Sequence, residues 1–330
     1  MKISFVLPIK LSSSHPEADI FRLIQINARS IAKFCEPSLL NDYFVIGSAN
    51  DLALIRERAR RELPDFPFVF IEENKVCPSL RATDDGLGWQ GWHKQQVLKL
   101  AMATLVRTEY YMTLDDDVFL TRNLAASDLL RNEKLILSRD GHEIHRHWYQ
   151  SCCEILKCPY EVLRRNEFVM GVTPEILISE FVFDLHREIQ ELWSTKDYRR
   201  WLLQAAGIGM PLTPHPRINR LVSRFTAGRL TSRDHLDSGT VQKCRDWTEY
   251  SLYWTFLQKH ELVGKYYASV SPELGGNFLW TEEEVRQLDL EAWARSHFQE
   301  PHEYFFSVFT SRIGNVDRQA LYQTLNACLR

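Results

Sequence analysis

The stretch YYMTLDDDVFL, Tyr110 to Leu120, runs a strand-like apolar segment into three consecutive carboxylates, Asp115, Asp116 and Asp117, and then turns apolar again. Such crowding is costly unless solvent, hydrogen bonds or a cation relieves it. In an open parallel sheet, ligands collect where the carboxyl ends of strands meet diverging loops. An acidic cluster at that position therefore reads as a binding feature at the end of a strand.

The sequence before it supports such a sheet. ISFVLPI and DYFVIGS read as strands, and DIFRLIQINARSIAKF between them has helical spacing at Ile20, Leu23, Ile24, Ile31 and Phe34. Asn50 or Asp51 can cap the helix LALIRERARREL, FPFVFIEEN supplies a third strand, and GWHKQQVLKLAMATLVRT is a long helix leading into the acidic strand. Strands alternating with helices predict right-handed crossovers and an α/β fold with a mainly parallel, Rossmann-like sheet flanked by helices. KLILSRD reads as a further strand. The chain then becomes helix-rich through HRHWYQSCCEIL, TPEILISEFVFDLHREIQELW, KDYRRWLLQAAG and DWTEYSLYWTFLQKH, and closes on the strand YFFSVFTS and the helix VDRQALYQTLNACL.

At 330 residues, with 45% hydrophobic and 25% charged residues, the chain is an ordinary folded protein with room for a large core. A formal charge of -3 gives no electrostatic reason to expect a nucleic-acid partner. The amino-terminal apolar stretch Ile3 to Ile9 contains Pro8, is closed by Lys10 and reads as a strand rather than a signal peptide. No run approaches the ~18 apolar residues a membrane span needs, so a cytoplasmic protein is the expectation, compatible with attachment at the inner face of a membrane. The seven cysteines lack paired metal-ligand spacing and read as reduced thiols.

Asp115 and Asp117 form an Asp-x-Asp arrangement, and a turn at a strand end can direct both at one hard cation. Mg²⁺ and Mn²⁺ favour such oxygen ligands, shared with water and substrate phosphates. On the preceding helix, Trp92, Gln95, Gln96 and Lys99 fall at i, i+3, i+4 and i+7, giving one face with an aromatic plane, two amides and a cation. That face suits a donor cleft in which stacking holds a base and Lys99 attracts phosphate. The plainer reading is an amphipathic helix with these residues in water.

FVLPIK, the GW-x-x-QQ-x-x-K helix, YYMTLDDDVFL and WTEYSLYWTFL together resemble bacterial glycosyltransferase-like proteins of the GT-A fold. The resemblance covers most of the chain and is most specific over residues 88 to 121 and 247 to 257. It implies a nucleotide-sugar-binding part over residues 1–140 and a helical acceptor-binding part over 141–330 that completes the same domain. It also implies a metal-dependent glycosyltransferase acting on a glycan or lipid-linked acceptor in surface-polysaccharide assembly, with Mn²⁺ or Mg²⁺ held through Asp115 and Asp117. Where the motif usually has a small or neutral middle residue this chain has Asp116, which leaves open which two carboxylates meet the metal.

Further roles follow from that expectation. The acceptor hydroxyl must lose a proton, and Glu249, on an aromatic-rich helix, is the preferred base, with Asp246 in reserve. Tyr250, Tyr253 and Trp254 suit a sugar platform or, more plainly, a core. The resemblance suggests His302 as a third metal ligand, the plainer reading being a surface histidine, and Arg312 with Ser311 suits a loop closing over diphosphate or, equally, a solvated loop. The basic segment from His215 to His235 suits an anionic acceptor or a solvated face. Two other classes compete: a nucleotidyltransferase, against which the absence of a glycine-rich loop after the first strand counts, and a glycan-binding protein without turnover. The oligomeric state is open.

Overall fold

A computed structural model describes residues 1–80, 88–206, 240, 243–268, 273–299, 301–310 and 318–330. The first four strands are β1 (Ile3–Pro8), β2 (Leu40–Gly47), β3 (Phe68–Glu72) and β4 (Tyr110–Thr113). β1 lies between β2 and β4, parallel to both, and β2 is parallel to β3. Every residue of β1 is buried, as expected of a central strand covered on both faces, whereas β3 at the edge is half-buried throughout. The sheet thus grows in opposite directions from β1. The carboxyl ends of β1 and β4 open side by side at the resulting switch point, with Val6 in register with Thr113.

A fifth strand, Glu175–Ile178, closes the sheet antiparallel to β4. This corrects the helix expected to begin at TPEILIS: the helix starts only at Ser179. Ile176, Leu177 and Ile178 are buried, so the apolar run serves both faces of a sheet, a pattern that periodicity alone cannot separate from a buried helical turn. Pairing also removes an open edge from β4. The first helix differs from expectation as well. It runs from Pro16 to Phe34, but Arg22–Ala28 is a π-helical segment between two α-helical ones, and all seven of its residues are buried, including Arg22, Gln25 and Asn27. The next helix, Ala49–Glu62, is capped by Ser48, whose Oγ accepts from the Asp51 amide at 3.1 Å, so Asn50 and Asp51 sit inside the helix rather than at its cap.

KLILSRD contributes two short strands to different small sheets, Lys134–Ile136 and Arg139–Asp140, the latter paired with Val169–Met170. After the acidic turn, β5 (Val118–Leu120) pairs antiparallel with Tyr304–Val308. One apolar core joins the sheet to the later helices: Phe5, Val45 and Met112 belong to the same cluster as Leu185, Trp254 and Phe306. A second cluster packs the carboxyl-terminal helix Arg318–Leu329 under β5 through Phe119, Phe309 and Leu325. Among the described residues no helix is long and apolar enough to cross a membrane.

Candidate active site

The acidic turn is held at both ends by backbone bonds. Leu114 N–H donates to Val6 C=O at 2.9 Å, extending the β1–β4 ladder by one residue, and Val118 N–H donates to Asp115 C=O at 3.2 Å. Asn27, from the π-helical segment, donates from Nδ2 to the carbonyls of Asp115 and Val118 at 3.1 and 2.9 Å, while its Oδ1 accepts from the Tyr43 hydroxyl. Ser30 Oγ accepts from Leu120 N–H at 2.9 Å. The widened helix thus brings a buried amide against the turn, and this network fixes the backbone from which the three carboxylates project.

The three aspartates have different partners. Asp115 Oδ1 lies 2.8 Å from Lys99 Nζ, and its side chain is about one-third exposed. Lys99 is 1% exposed and also lies 2.8 Å from Glu249 Oε1 and 3.1 Å from the Tyr250 hydroxyl. Burial acts to lower the Lys99 pKa, but Asp115, then Glu249 and Tyr250, outweigh it and keep the ammonium charged. Arg22 donates to one oxygen of Asp116, Oδ2, through Nε at 3.0 Å and through Nη2. Arg22 also reaches Asp19 Oδ1 at 3.1 Å, and although burial works against its charge, Asp116, Tyr322 and Asp117 together raise its pKa. Asp117 is largely buried, and its carbonyl accepts from Phe309 N–H at 3.3 Å.

Two cavities meet at this turn. The larger, about 1270 Å³, opens beyond the carboxyl end of β1 and presents Lys10, Ser12, His15, Arg22 and Arg58. The smaller, about 600 Å³, lies toward the later helices and presents Trp92, Trp148, Trp280, Phe278 and Asp140. Pro8, Gln95 and Asp116 line both.

Residues expected from sequence fall into three groups. Trp92, Gln95, Gln96, Lys99, Asp115 and Asp117 all reach the smaller cavity, so one helix face and the strand end come together. Glu249 does not line either cavity. It is fully buried in the first turn of the helix Glu249–Lys259, behind Lys99, and its N–H donates to Gln96 Oε1 at 3.2 Å. Thr248 caps that helix in a box with Ser251, so local sequence sets the helix start while the burial of Trp247 and Trp254 draws Glu249 inward. Burial pushes the Glu249 pKa up against the pull of Lys99. Asp246 is exposed and lines neither cavity. His302 stacks on Tyr304 and sets its Nδ1 and Nε2 2.9 Å from the carbonyls of Tyr304 and His297, away from both cavities. Of the suggested aromatic platform, Tyr250 reaches the smaller cavity, whereas Tyr253 and Trp254 are in the core. Ser311, Arg312 and the basic segment 215–235 lie outside the described residues.

Sequence reading missed Arg22, Asn27, Asp140, His145, Trp148, Thr173 and Trp280. Arg22 and Asn27 carried one usable signal, polar residues inside an otherwise apolar helical stretch. Asp140, Thr173 and Trp280 come from short strands and loops without a period, while His145 and Trp148 start a helix that the sequence predicts but does not connect to the site.

Among the described residues no group of three or more His, Cys, Asp or Glu side chains is gathered for a metal ion. Asp115 and Asp117, an all-oxygen pair that lines the smaller cavity, instead fit the mode in which Mg²⁺ or Mn²⁺ takes one or two carboxylates and completes its shell with water and substrate phosphates.

No curated protein matches the chain. Among solved structures, the apo form of mouse xyloside xylosyltransferase 1 is similar at a TM-score of 0.47 and 10% identity, over 94% of this chain and 98% of that one. Over residues 1–329 the sequence matches the family described as a family of unknown function (DUF6492), and the chain belongs to it.

Proposed function

We propose that this protein is a glycosyltransferase of GT-A architecture that moves a sugar from a nucleotide-sugar donor to a glycan or lipid-linked acceptor. The observation that carries the reading is the position of the acidic turn at the sheet's switch point, between a large cavity of mixed charge and a smaller one lined by aromatic rings and aspartates. The larger cavity has room for a nucleoside diphosphate, and Lys10, Arg22 and Arg58 are its cations, set among Glu17, Asp19 and Asp116. The smaller takes the sugars. The resemblance in sequence adds the setting, surface-polysaccharide assembly.

Asp115 and Asp117 are the residues that would hold a divalent cation on the Asp-x-Asp spacing: both line the smaller cavity, with Asp115 also paired to Lys99 and Asp116 paired to Arg22. Bound there, the cation supplies positive charge to the departing diphosphate. The chain's own residues do the rest. Lys99 fixes the Asp115 carboxylate, Asn27 fixes the turn, and Gln95 offers an amide to both cavities. Glu249 is a positioning residue that anchors Lys99; its full burial argues against contact with an acceptor hydroxyl. The segment after β1, Ile9 to His15, contains no glycine, which argues against a nucleotidyltransferase phosphate loop.

Calorimetric titration with uridine, guanosine, adenosine, cytidine and thymidine diphosphates, with and without Mn²⁺, tests the reading. One nucleotide should bind in a Mn²⁺-dependent way, and the corresponding nucleotide sugar should be slowly hydrolysed to free sugar and nucleoside diphosphate. Glycan binding without any nucleotide binding would assign the protein to the non-catalytic class instead.

A further inference from the structure

We infer that the smaller cavity is a saccharide subsite in which Trp148 and Trp280 present ring faces to a pyranose while Asp140 and Thr173 accept and donate hydrogen bonds to its hydroxyls. This rests on the glycosyltransferase reading only for calling that pyranose the acceptor; the binding chemistry stands without it.

Four observations support it. First, the aromatic side chains are set as a wall rather than as a core. Trp148 stacks against His145 with ring centroids 3.8 Å apart and planes 10° apart, and Trp92 lies 5.7 Å from Trp148. Trp280, also in the lining, is 39% exposed and meets Phe278 edge-on with ring centroids 5.5 Å apart. A ring braced on one face by another ring leaves its other face for a ligand, and the apolar C–H face of a pyranose suits it. Second, Thr173 lines the cavity at 2% exposure, and its Oγ1 has no hydrogen-bond partner among the described residues. A buried hydroxyl without a partner costs free energy that a ligand hydroxyl would recover.

Third, Asp140 is held by the backbone ladder that pairs it with Val169, so its carboxylate is positioned rather than swinging on a loop. Its surroundings come from several elements: Glu273, which is itself paired with Arg139, His145 with Nε2 at 3.8 Å, and Glu175 and Tyr149 within electrostatic reach. Burial and then Glu273 raise Asp140 to about 6, while burial and then His147 lower His145 to about 4. Near neutral pH the pair is therefore a carboxylate beside a neutral imidazole, not an ion pair, and the carboxylate is available as an acceptor. Fourth, the polar groups are mixed among the aromatics. A lipid chain would leave Asp140 and Thr173 buried without partners, whereas a sugar satisfies both kinds of lining.

The test uses the full chain and a defined set of probes: methyl α- and β-glycosides of glucose, galactose, mannose, xylose and N-acetylglucosamine, with dodecyl phosphate as the lipid probe. Saturation-transfer NMR reads binding. At least one glycoside should give a transfer signal. Trp280→Ala, whose side chain lies outside the core, should weaken it about three- to tenfold, the worth of one aromatic contact. Thr173→Val, which keeps the shape and removes the hydroxyl, should weaken it several-fold while leaving the melting temperature unchanged or higher. Binding of nucleoside diphosphate with Mn²⁺ is measured on the same samples and should not change in either variant. No glycoside signal, or glycoside binding that both variants leave intact, overturns the inference, as does binding of dodecyl phosphate alone. Nucleotide binding without glycoside binding would sink this inference and spare the glycosyltransferase reading; glycoside binding without nucleotide binding would do the reverse.

Discussion

The two cavities that meet at Asp116 differ in size and in what lines them. On one side of the turn, guanidinium, ammonium and hydroxyl groups set among Glu17 and Asp19 line a wide space at the end of β1; on the other, indole rings with Lys99 and a row of aspartates line a space half that size. The same contrast runs through the aspartates. Arg22, at the larger cavity, takes Asp116, and Lys99, almost fully buried in the wall of the smaller one, takes Asp115. A crowded acidic turn is tolerated here because cations from two different helices approach it from two sides, one of them wholly enclosed. What separates the cavities is therefore also what makes the turn possible.

The largest effect should come from the enclosed cation. Lys99→Met leaves Asp115 and the fully buried Glu249 without their common partner, and should cost about 3–5 kcal/mol of stability by denaturant unfolding. Adding Glu249→Gln to Lys99→Met should recover a substantial part of that loss; no recovery would mean that Lys99 matters by packing rather than by charge. Next, Asp117→Ala should weaken Mn²⁺-dependent nucleotide binding by about a hundredfold, two charge-assisted contacts' worth, with little change in melting temperature. Glycoside binding should survive, and its loss would join what the comparison keeps apart.

Arg22→Lys keeps the charge but cannot place two N–H donors on Asp116 Oδ2 as the guanidinium does. Nucleotide affinity should fall by about tenfold, the worth of one such charged hydrogen bond, measured by calorimetry. The smallest effect concerns pH. Because Asp140 is raised to about 6, its carboxylate is present above that pH and protonated below it. Glycoside affinity should fall by a factor of about three between pH 7 and pH 5, since a charged acceptor bonds a hydroxyl more strongly than a neutral one. In Asp140→Asn the profile should be flat, and an unchanged slope would remove Asp140 from the subsite.

Much of the fold was legible because it is regular. Strands with consecutive apolar residues, and a helix whose Trp92, Gln95, Gln96 and Lys99 repeat at one face, carry their periods in the sequence, and the structure brings that face to the strand end bearing Asp115. Where the signal was ambiguous the reading failed in a physical way. Ile176 to Ile178 is apolar on both faces, and only the open edge of β4 makes it a strand. The site was less legible. Arg22 and Asp116 are 94 residues apart and meet because a π-helical segment turns Arg22 inward, which no spacing rule encodes. Asp140 on a two-residue strand, Trp148 on the helix Arg146–Ile155 and Trp280 in a loop are brought together only by the tertiary fold. Glu249 was read into the cleft on its aromatic neighbours, but those same neighbours bury it, and its partner is the lysine in the cleft wall.

The most direct test of the central claim is the electron paramagnetic resonance signal of free Mn²⁺, titrated with protein in the presence of whichever nucleoside diphosphate binds. The wild-type chain should deplete the six-line free-ion signal, and Asp115→Asn/Asp117→Asn should leave it at the level of nucleotide alone. Equal depletion by the wild type and the double variant would place the ion elsewhere and contradict the account.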